Sequence, residues 1–360
     1  MSNTMEAAVL HAPGDLRIDR VPVPGELGPE DVLVKVVAAG ICGSDIGRVM
    51  TTGTYHFPTI PGHEFAGVVV DVGRSVTSAA LGGRVAVAPL MPCFACDSCA
   101  RGHYSLCDCY NFLGSRSDGG FAQYVKAPAR NLVHVPDSVG LDEAATVEFA
   151  ATVLHGVQKI DVKAGDAVAV VGVGALGYFA VRFAKLSGAS PVVAIDIDES
   201  KLALARIAGA DACVNAGDKD AVEQVRAAAG GLGADVVMET AGANAGRAMA
   251  ISVARKLGTI LVFGSAHSAV VLEPELFERI LRHELSVVGS WNSYSVPFPG
   301  REWRDIMRFI ARGELTSKPL ISHVLSLGEA PETFRRLQTG DLGPYNKILF
   351  APNGVEDLCR

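Results

Sequence analysis

Ala167-Val-Ala-Val-Val171-Gly172-Val-Gly174-Ala-Leu176-Gly177-Tyr-Phe-Ala-Val-Arg-Phe-Ala-Lys-Leu186 is the stretch that decides the fold. An apolar run is followed by glycines spaced Gly-x-Gly-x-x-Gly, and then by an Ala/Leu/Phe-rich segment with helical character. Strand, glycine turn and helix in this order read as a dinucleotide-binding βαβ unit. Gly172 permits the tight turn, Gly174 lets the backbone approach a pyrophosphate, and Gly177 lets helix and strand pack closely. The helix N-terminus offers N–H donors to phosphate, so Gly172, Gly174, Leu176 and Gly177 are assigned to cofactor binding. Asp196 ends the next strand, 19 residues after Gly177. An acid there accepts from a ribose 2′-hydroxyl and repels a 2′-phosphate, so NAD is expected rather than NADP. Lys201, five residues later, joins this set with two readings: a cation that could tolerate a 2′-phosphate, which tempers the NAD preference, or one that covers the adenosine ribose from the side.

Downstream, strand-like runs alternate with helical ones: Val192–Ile197, Ala212–Asn215, Asp235–Glu239, Thr259–Phe263 and Leu285–Gly289, with helices at Ala175–Leu186 and Glu199–Ile207. With Ala167–Val171 they describe a doubly wound parallel sheet. Upstream, short Val/Ile runs separated by turn signals (Val32–Val37, Phe65–Val70, Arg84–Ala88) read as an all-β region. From Ser295 a Pro/Gly-rich segment breaks the pattern, and a helix and a final strand, Lys347–Phe350, are expected to return to the first domain. The expected domains are 1–150 with 295–360, and 151–294. No internal repeat is evident.

The 360 residues are 49% hydrophobic and 20% charged, as in a globular protein with a sizeable core, and carry a formal charge of −7. That charge gives no electrostatic reason to expect nucleic acid or an anionic membrane. The longest apolar run, Ala167–Val181, contains three glycines and falls short of a bilayer span. No signal peptide is evident, so the expected location is cytoplasmic.

Of eight cysteines, five fall between Cys93 and Cys109, a clustering that points to metal rather than to a disulfide scaffold. Cys93-x2-Cys96-x2-Cys99-x7-Cys107 suits a closed tetrahedral structural zinc, with Cys109 a bystander. A second, dispersed set joins Gly40-Ile-Cys42-Gly-Ser44-Asp45 to Pro61-Gly62-His63-Glu64. Thiolate, imidazole and carboxylate suit a zinc that keeps a position open for substrate.

Taken in order, GICGSD, PGHEFAG, the four-cysteine lobe and GVGALG resemble the zinc-containing medium-chain dehydrogenase/reductase family over essentially the whole chain. The resemblance implies an α/β architecture: a GroES-like β-rich catalytic domain from both chain ends, with a Rossmann domain inserted. It implies hydride transfer between NAD(H) and a secondary alcohol or ketone. The stretches PLMPCFACDSC, FLGSRSDGGFAQY and GSWNSYSVPFPGREW are similar to the polyol dehydrogenase branch, particularly to members acting on sugar-alcohol phosphates. It places Glu148 where alcohol dehydrogenases carry a second zinc cysteine. The implied catalytic zinc set is Cys42, His63 and Glu64, with Glu148 as a direct or water-bridged member.

Many relatives place a relay histidine two residues after the Ser-Asp pair; here that residue is Gly47. Ser44 is the candidate proton carrier, because a hydroxyl donates and accepts at once; capping a local turn is its other reading. Asp45 is read as structural. Arg48 and Arg116 are candidates for holding a substrate phosphate, or else surface arginines on loops. The expected partner is a polyol, ketose or cyclitol, phosphorylated or not, in a homodimer or homotetramer joined through Leu285–Gly289. Two alternatives stand beside this: a zinc-free NADPH quinone or enoyl reductase of the same fold, and a non-catalytic nucleotide-binding protein.

Overall fold

The computed structural model describes residues 3–266 and 268–359. The chain divides into two compact units: one from both ends, up to Glu148 and from Tyr294 onward, and one from Phe149–Ser293.

In the first unit, seven-stranded pairing centres on Asp31–Gly40. Its burial alternates little, because both faces are covered. Glu64–Val72 runs antiparallel along one edge, followed by Arg84–Val87 and Leu132–His134. On its other edge, Tyr124–Pro128 pairs with Asp31–Lys35, and Lys347–Ala351 pairs with Ala39 and Gly40. The C-terminal strand thus lies beside the end of Asp31–Gly40, where Glu64 also pairs with Gly40. Cys42, Glu64 and Lys347 are brought together by that register. Phe65, Phe121, Phe334 and Phe350 pack the core of this unit, drawing on both chain ends.

In the second unit, six parallel strands run in the order Ala212–Asn215, Val192–Asp196, Val168–Val171, Ala234–Glu239, Ala254–Val262, Ser286–Gly289. In chain order this is 3-2-1-4-5-6, the doubly wound arrangement. Val168–Val171 is central and fully buried. The helix Ala175–Leu186 has the bounds the sequence suggests.

Two expectations need correction. Among the described residues after Ser295 there are two α-helices, Arg301–Ala311 and Ala330–Thr339, and two strands, not one of each. The overlooked strand, Ile321–Ser326, lies at the edge of its sheet, alternates half-buried with exposed residues, and carries little apolar signal. The strand expected at Thr259–Phe263 begins at Ala254. Its first half is disguised by Arg255-Lys256 and by a kink at Leu257, whose φ is 63°. Among the described residues, no helix is long and apolar enough to cross a membrane.

Candidate active site

Cys42 follows the strand Asp31–Gly40 and caps the short helix Gly43–Gly47. His63 follows Gly62, whose φ of 93° and contact with the Phe121 ring leave no room for a side chain. A Cβ on Gly40 would fall 2.6 Å from Glu64 Oε2, so glycine there lets the carboxyl lie across the strand end. The donor atoms of Cys42, His63 and Glu64 lie within 4.8 Å of one another. Glu64 Oε1 is buried without a hydrogen-bond partner. A buried carboxylate oxygen beside a thiol and an imidazole is a donor set that fits a zinc ion.

Asp45 ties this set together. Its Oδ2 accepts from Cys42 N at 3.0 Å; its Oδ1 accepts from Arg48 Nη1 at 3.1 Å and lies at ion-pair distance, 3.1 Å, from His63 Nδ1, which is buried and makes no aligned hydrogen bond. An imidazole turned to a carboxylate by Nδ1 presents Nε2 as the ligand atom, the usual support of a metal-bound histidine. Burial alone would raise the Asp45 carboxyl, but His63, Arg48 and the Cys42 N–H hold it below the usual range. Burial opposes the His63 imidazolium, yet Asp45 and Cys42 keep its pKa well above normal. Sequence reading gave Asp45 only a structural role; the geometry makes it the residue that positions two donors.

Lys347 was not foreseen. It is 4% exposed, and its Nζ donates to Glu64 Oε2 at 2.7 Å and to Ile41 O at 2.9 Å. Its signal in the sequence is a lysine opening the otherwise apolar strand Lys-Ile-Leu-Phe-Ala; a buried lysine needs a carboxylate.

Ser44 Oγ donates to Cys42 Sγ at 3.2 Å and accepts from Arg48 Nη1 at 3.0 Å. Glu148 is buried but stands outside the close triad. Burial pushes its carboxyl up to about 7, helped by Glu64 and opposed by His63 and Lys347. Its charge in turn helps burial to raise the Tyr294 phenol.

Cys93, Cys96, Cys99 and Cys107 form a second group within the same 4.8 Å limit, with Sγ–Sγ distances of 4.0 Å (Cys93–Cys99) and 3.9 Å (Cys96–Cys107). A tetrahedral zinc with Zn–S of about 2.3 Å sets its sulfurs roughly 3.8 Å apart, which these two separations match. The N–H groups of Ala95 and Cys96 donate to Cys93 Sγ and lower that thiol to about 6. Cys109 is exposed and stays outside the group.

In the second unit, Gly172 has φ 87°, and a Cβ there would meet Ala241 at 2.8 Å. At Gly174 an added Cβ meets nothing within 4 Å, leaving the turn open to an approaching phosphate. Gly177 packs on Gly172 O, where a Cβ would come within 2.0 Å. No side chain caps the helix Ala175–Leu186, so its first N–H groups are free of a capping residue. Leu176 lies in its first turn. Asp196 Oδ2 accepts from Val173 N at 2.6 Å, and Oδ1 from Asp198 N at 3.0 Å, which anchors the carboxylate to the glycine turn. Burial lowers the Lys201 ammonium, while Asp198 and Asp196 oppose the shift.

Residues 28–137 match the alcohol dehydrogenase GroES-like domain, and residues 175–312 match the zinc-binding dehydrogenase domain. Galactitol 1-phosphate 5-dehydrogenase of Escherichia coli K12 is 34% identical over 89% of this chain and 92% of its own length. A crystal structure of the E. coli galactitol-1-phosphate dehydrogenase superposes with a TM-score of 0.90 at 32% identity, covering 97% of this chain and 100% of that one. Sorbitol dehydrogenase of Bacillus subtilis is 32% identical over 92% of this chain and 93% of its own. A Sinorhizobium meliloti chain crystallised with NADP gives a TM-score of 0.89 at 33% identity, covering 98% and 100%. Donor groups, glycine turn and likeness along the whole length agree: this chain is a zinc- and NAD(P)-dependent oxidoreductase belonging to the zinc-containing medium-chain dehydrogenase/reductase family, in its polyol dehydrogenase branch.

Proposed function

We propose that this enzyme oxidises a secondary hydroxyl of a polyol, with NAD as the hydride acceptor, and reduces the matching ketose in reverse. The observation that carries this reading is the triad of half-buried Cys42 with buried His63 and Glu64, held by Asp45 and Lys347, in a chain similar to polyol dehydrogenases. When bound, zinc supplies Lewis acidity to the substrate oxygen and NAD supplies the hydride acceptor. The chain does the rest. Asp45 fixes the imidazole, and Lys347 holds one oxygen of Glu64 so that the other faces the donors. Ser44 Oγ takes the hydroxyl proton as its own hydrogen turns from Cys42 Sγ and is given up in the same step, its second lone pair being held by Arg48, which cannot accept a proton itself. With Gly47 in the usual relay position, the proton leaves Ser44 to solvent. Glu148 adds a buried acid suited to hydroxyl-rich substrates. Asp196, anchored through Val173 N, accepts from the ribose 2′-hydroxyl and disfavours a 2′-phosphate. The zinc-free reductase alternative leaves both donor groups without a use. We further read the assembly as a homodimer or homotetramer.

The test is a polyol panel with NAD and NADP, on wild type, His63→Ala and Asp196→Ala. His63→Ala is expected to lose one zinc equivalent and nearly all turnover while still binding NADH. Asp196→Ala is expected to weaken NAD and narrow the preference over NADP by about tenfold or more, the value of one lost charge-assisted hydrogen bond. Full activity without zinc defeats the catalytic reading, and a wild type preferring NADP defeats the role of Asp196.

A further inference from the structure

Arg116 lies on the segment Leu113–Phe121, which is bonded to the backbone leading into His63. Gly119 N donates to Ile60 O and Gly120 N to Gly62 O, each at 2.8 Å, while Asp118 Oδ1 accepts from Ile60 N at 2.9 Å. The guanidinium carbon lies 3.9 Å from the centroid of the Tyr55 ring and 4.4 Å from that of Tyr110. Tyr110 faces Phe112 at 6.4 Å, and Phe112 faces the His63 imidazole at 5.6 Å. One aromatic wall therefore runs from a metal donor to a clamped cation.

That cation is uncompensated. Among the described residues no carboxylate pairs with Arg116, and its Nε is buried without a hydrogen-bond partner. Arg48 differs: Asp45 and Ser44 already take its Nη1. With rings beside it, the Arg116 guanidinium is held rigid and presents its donors in its own plane, edge-on. Tyr55 is 68% exposed, so the clamp stands at the surface. An oxyanion with several acceptor oxygens fits such an edge far better than a neutral hydroxyl does.

We propose that Arg116, gripped by Tyr55 and Tyr110, binds the phosphate of a phosphorylated polyol whose reacting hydroxyl sits at the Cys42–His63–Glu64 centre. This inference rests on the polyol dehydrogenase reading above and names its substrate class. The test compares galactitol 1-phosphate with galactitol as substrates of zinc-loaded wild type, Arg116→Gln, Arg116→Lys and Tyr55→Leu, and uses inorganic phosphate as an inhibitor of galactitol oxidation. Wild type is expected to have the higher kcat/KM on the phosphorylated substrate. Arg116→Gln is expected to cut that ratio by about 30-fold or more, the range of a charged hydrogen-bond pair, mainly through KM. Arg116→Lys restores part of it, as a point charge without the planar fork, and Tyr55→Leu lowers it with the charge intact. Inorganic phosphate competes with galactitol in wild type and more weakly in Arg116→Gln. Zinc content and melting temperature identify a misfolded variant, in which case Tyr55→Leu and phosphate inhibition of wild type carry the test. Turnover of galactitol with no preference for the phosphorylated form, or a preference equal in wild type and all three variants, overturns the inference and leaves the polyol reading intact. Failure to oxidise any polyol overturns both.

Discussion

Asp45 and Lys347 lie outside the donor triad, yet Asp45 lies against two of its members, Cys42 and His63, and Lys347 against the third, Glu64. The two differ in how the sequence announces them. Asp45 stands three residues after Cys42, where an acid commonly caps a helix, so its local bond to Cys42 N is readable while its reach to His63 is not. Lys347 lies 283 residues from Glu64, and only the pairing of strand ends brings them to 2.7 Å. Removing one partner of a buried ion pair leaves an uncompensated charge and costs about 3–5 kcal/mol. Lys347→Met is therefore expected to lower the unfolding midpoint of the catalytic unit and to release the catalytic zinc to a chelator faster than wild type does. Lys347→Arg, which keeps the charge, is expected to recover much of both. An unchanged midpoint together with unchanged zinc retention in Lys347→Met would show that Glu64 needs no cation beside it.

The lobe that follows Met91 shows what local spacing can and cannot convey. Four cysteines within fifteen residues have few ways to converge, so their grouping is readable from spacing alone. The same holds for the glycine turn, where three glycines, an apolar strand and a helix are consecutive. The catalytic triad is less legible because the helical stretch 43–52 and a loop separate Cys42 from His63, and Glu148 is reached by resemblance alone. The edge strand Ile321–Ser326 left almost no trace, since half of its pattern faces solvent. Within the lobe Arg101, Asp97 and Leu106 are largely exposed, while Cys99, Ser105 and Cys107 are among its few buried residues. Beside the Phe94–Tyr104–Phe298 ring cluster and the Ser105–Tyr294 hydrogen bond, so small a core makes metal an expected tie. Cys96→Ser is expected to lose one of two zinc equivalents and to melt earlier, with the loop cut first by protease. Two zincs per chain and an unchanged melt in that variant would mean that the lobe holds itself by packing.

At the scale of the whole molecule, the six-stranded sheet ends on Ser286–Gly289, which pairs only with Ala254–Val262 among the described residues. Its outer edge carries backbone donors and acceptors with no strand neighbour among the described residues, a feature that proteins commonly cover or pair. The residues around it are apolar and open: Val287 is 54% exposed, Leu281 62% and Phe277 57%. The helix Pro274–Arg282, which leads into this strand, buries none of its residues fully. A second copy related by a twofold axis could extend the ladder antiparallel and cover those side chains at once. Light scattering on the wild-type enzyme is expected to give a dimer or a tetramer. Val287→Asp sets a charge on the proposed contact and is expected to shift the mass toward monomer while zinc content and NADH binding persist, because both cofactor sites lie elsewhere in the chain. A wild type that is monomeric at micromolar concentration, or an oligomer that Val287→Asp leaves whole, would place the interface elsewhere.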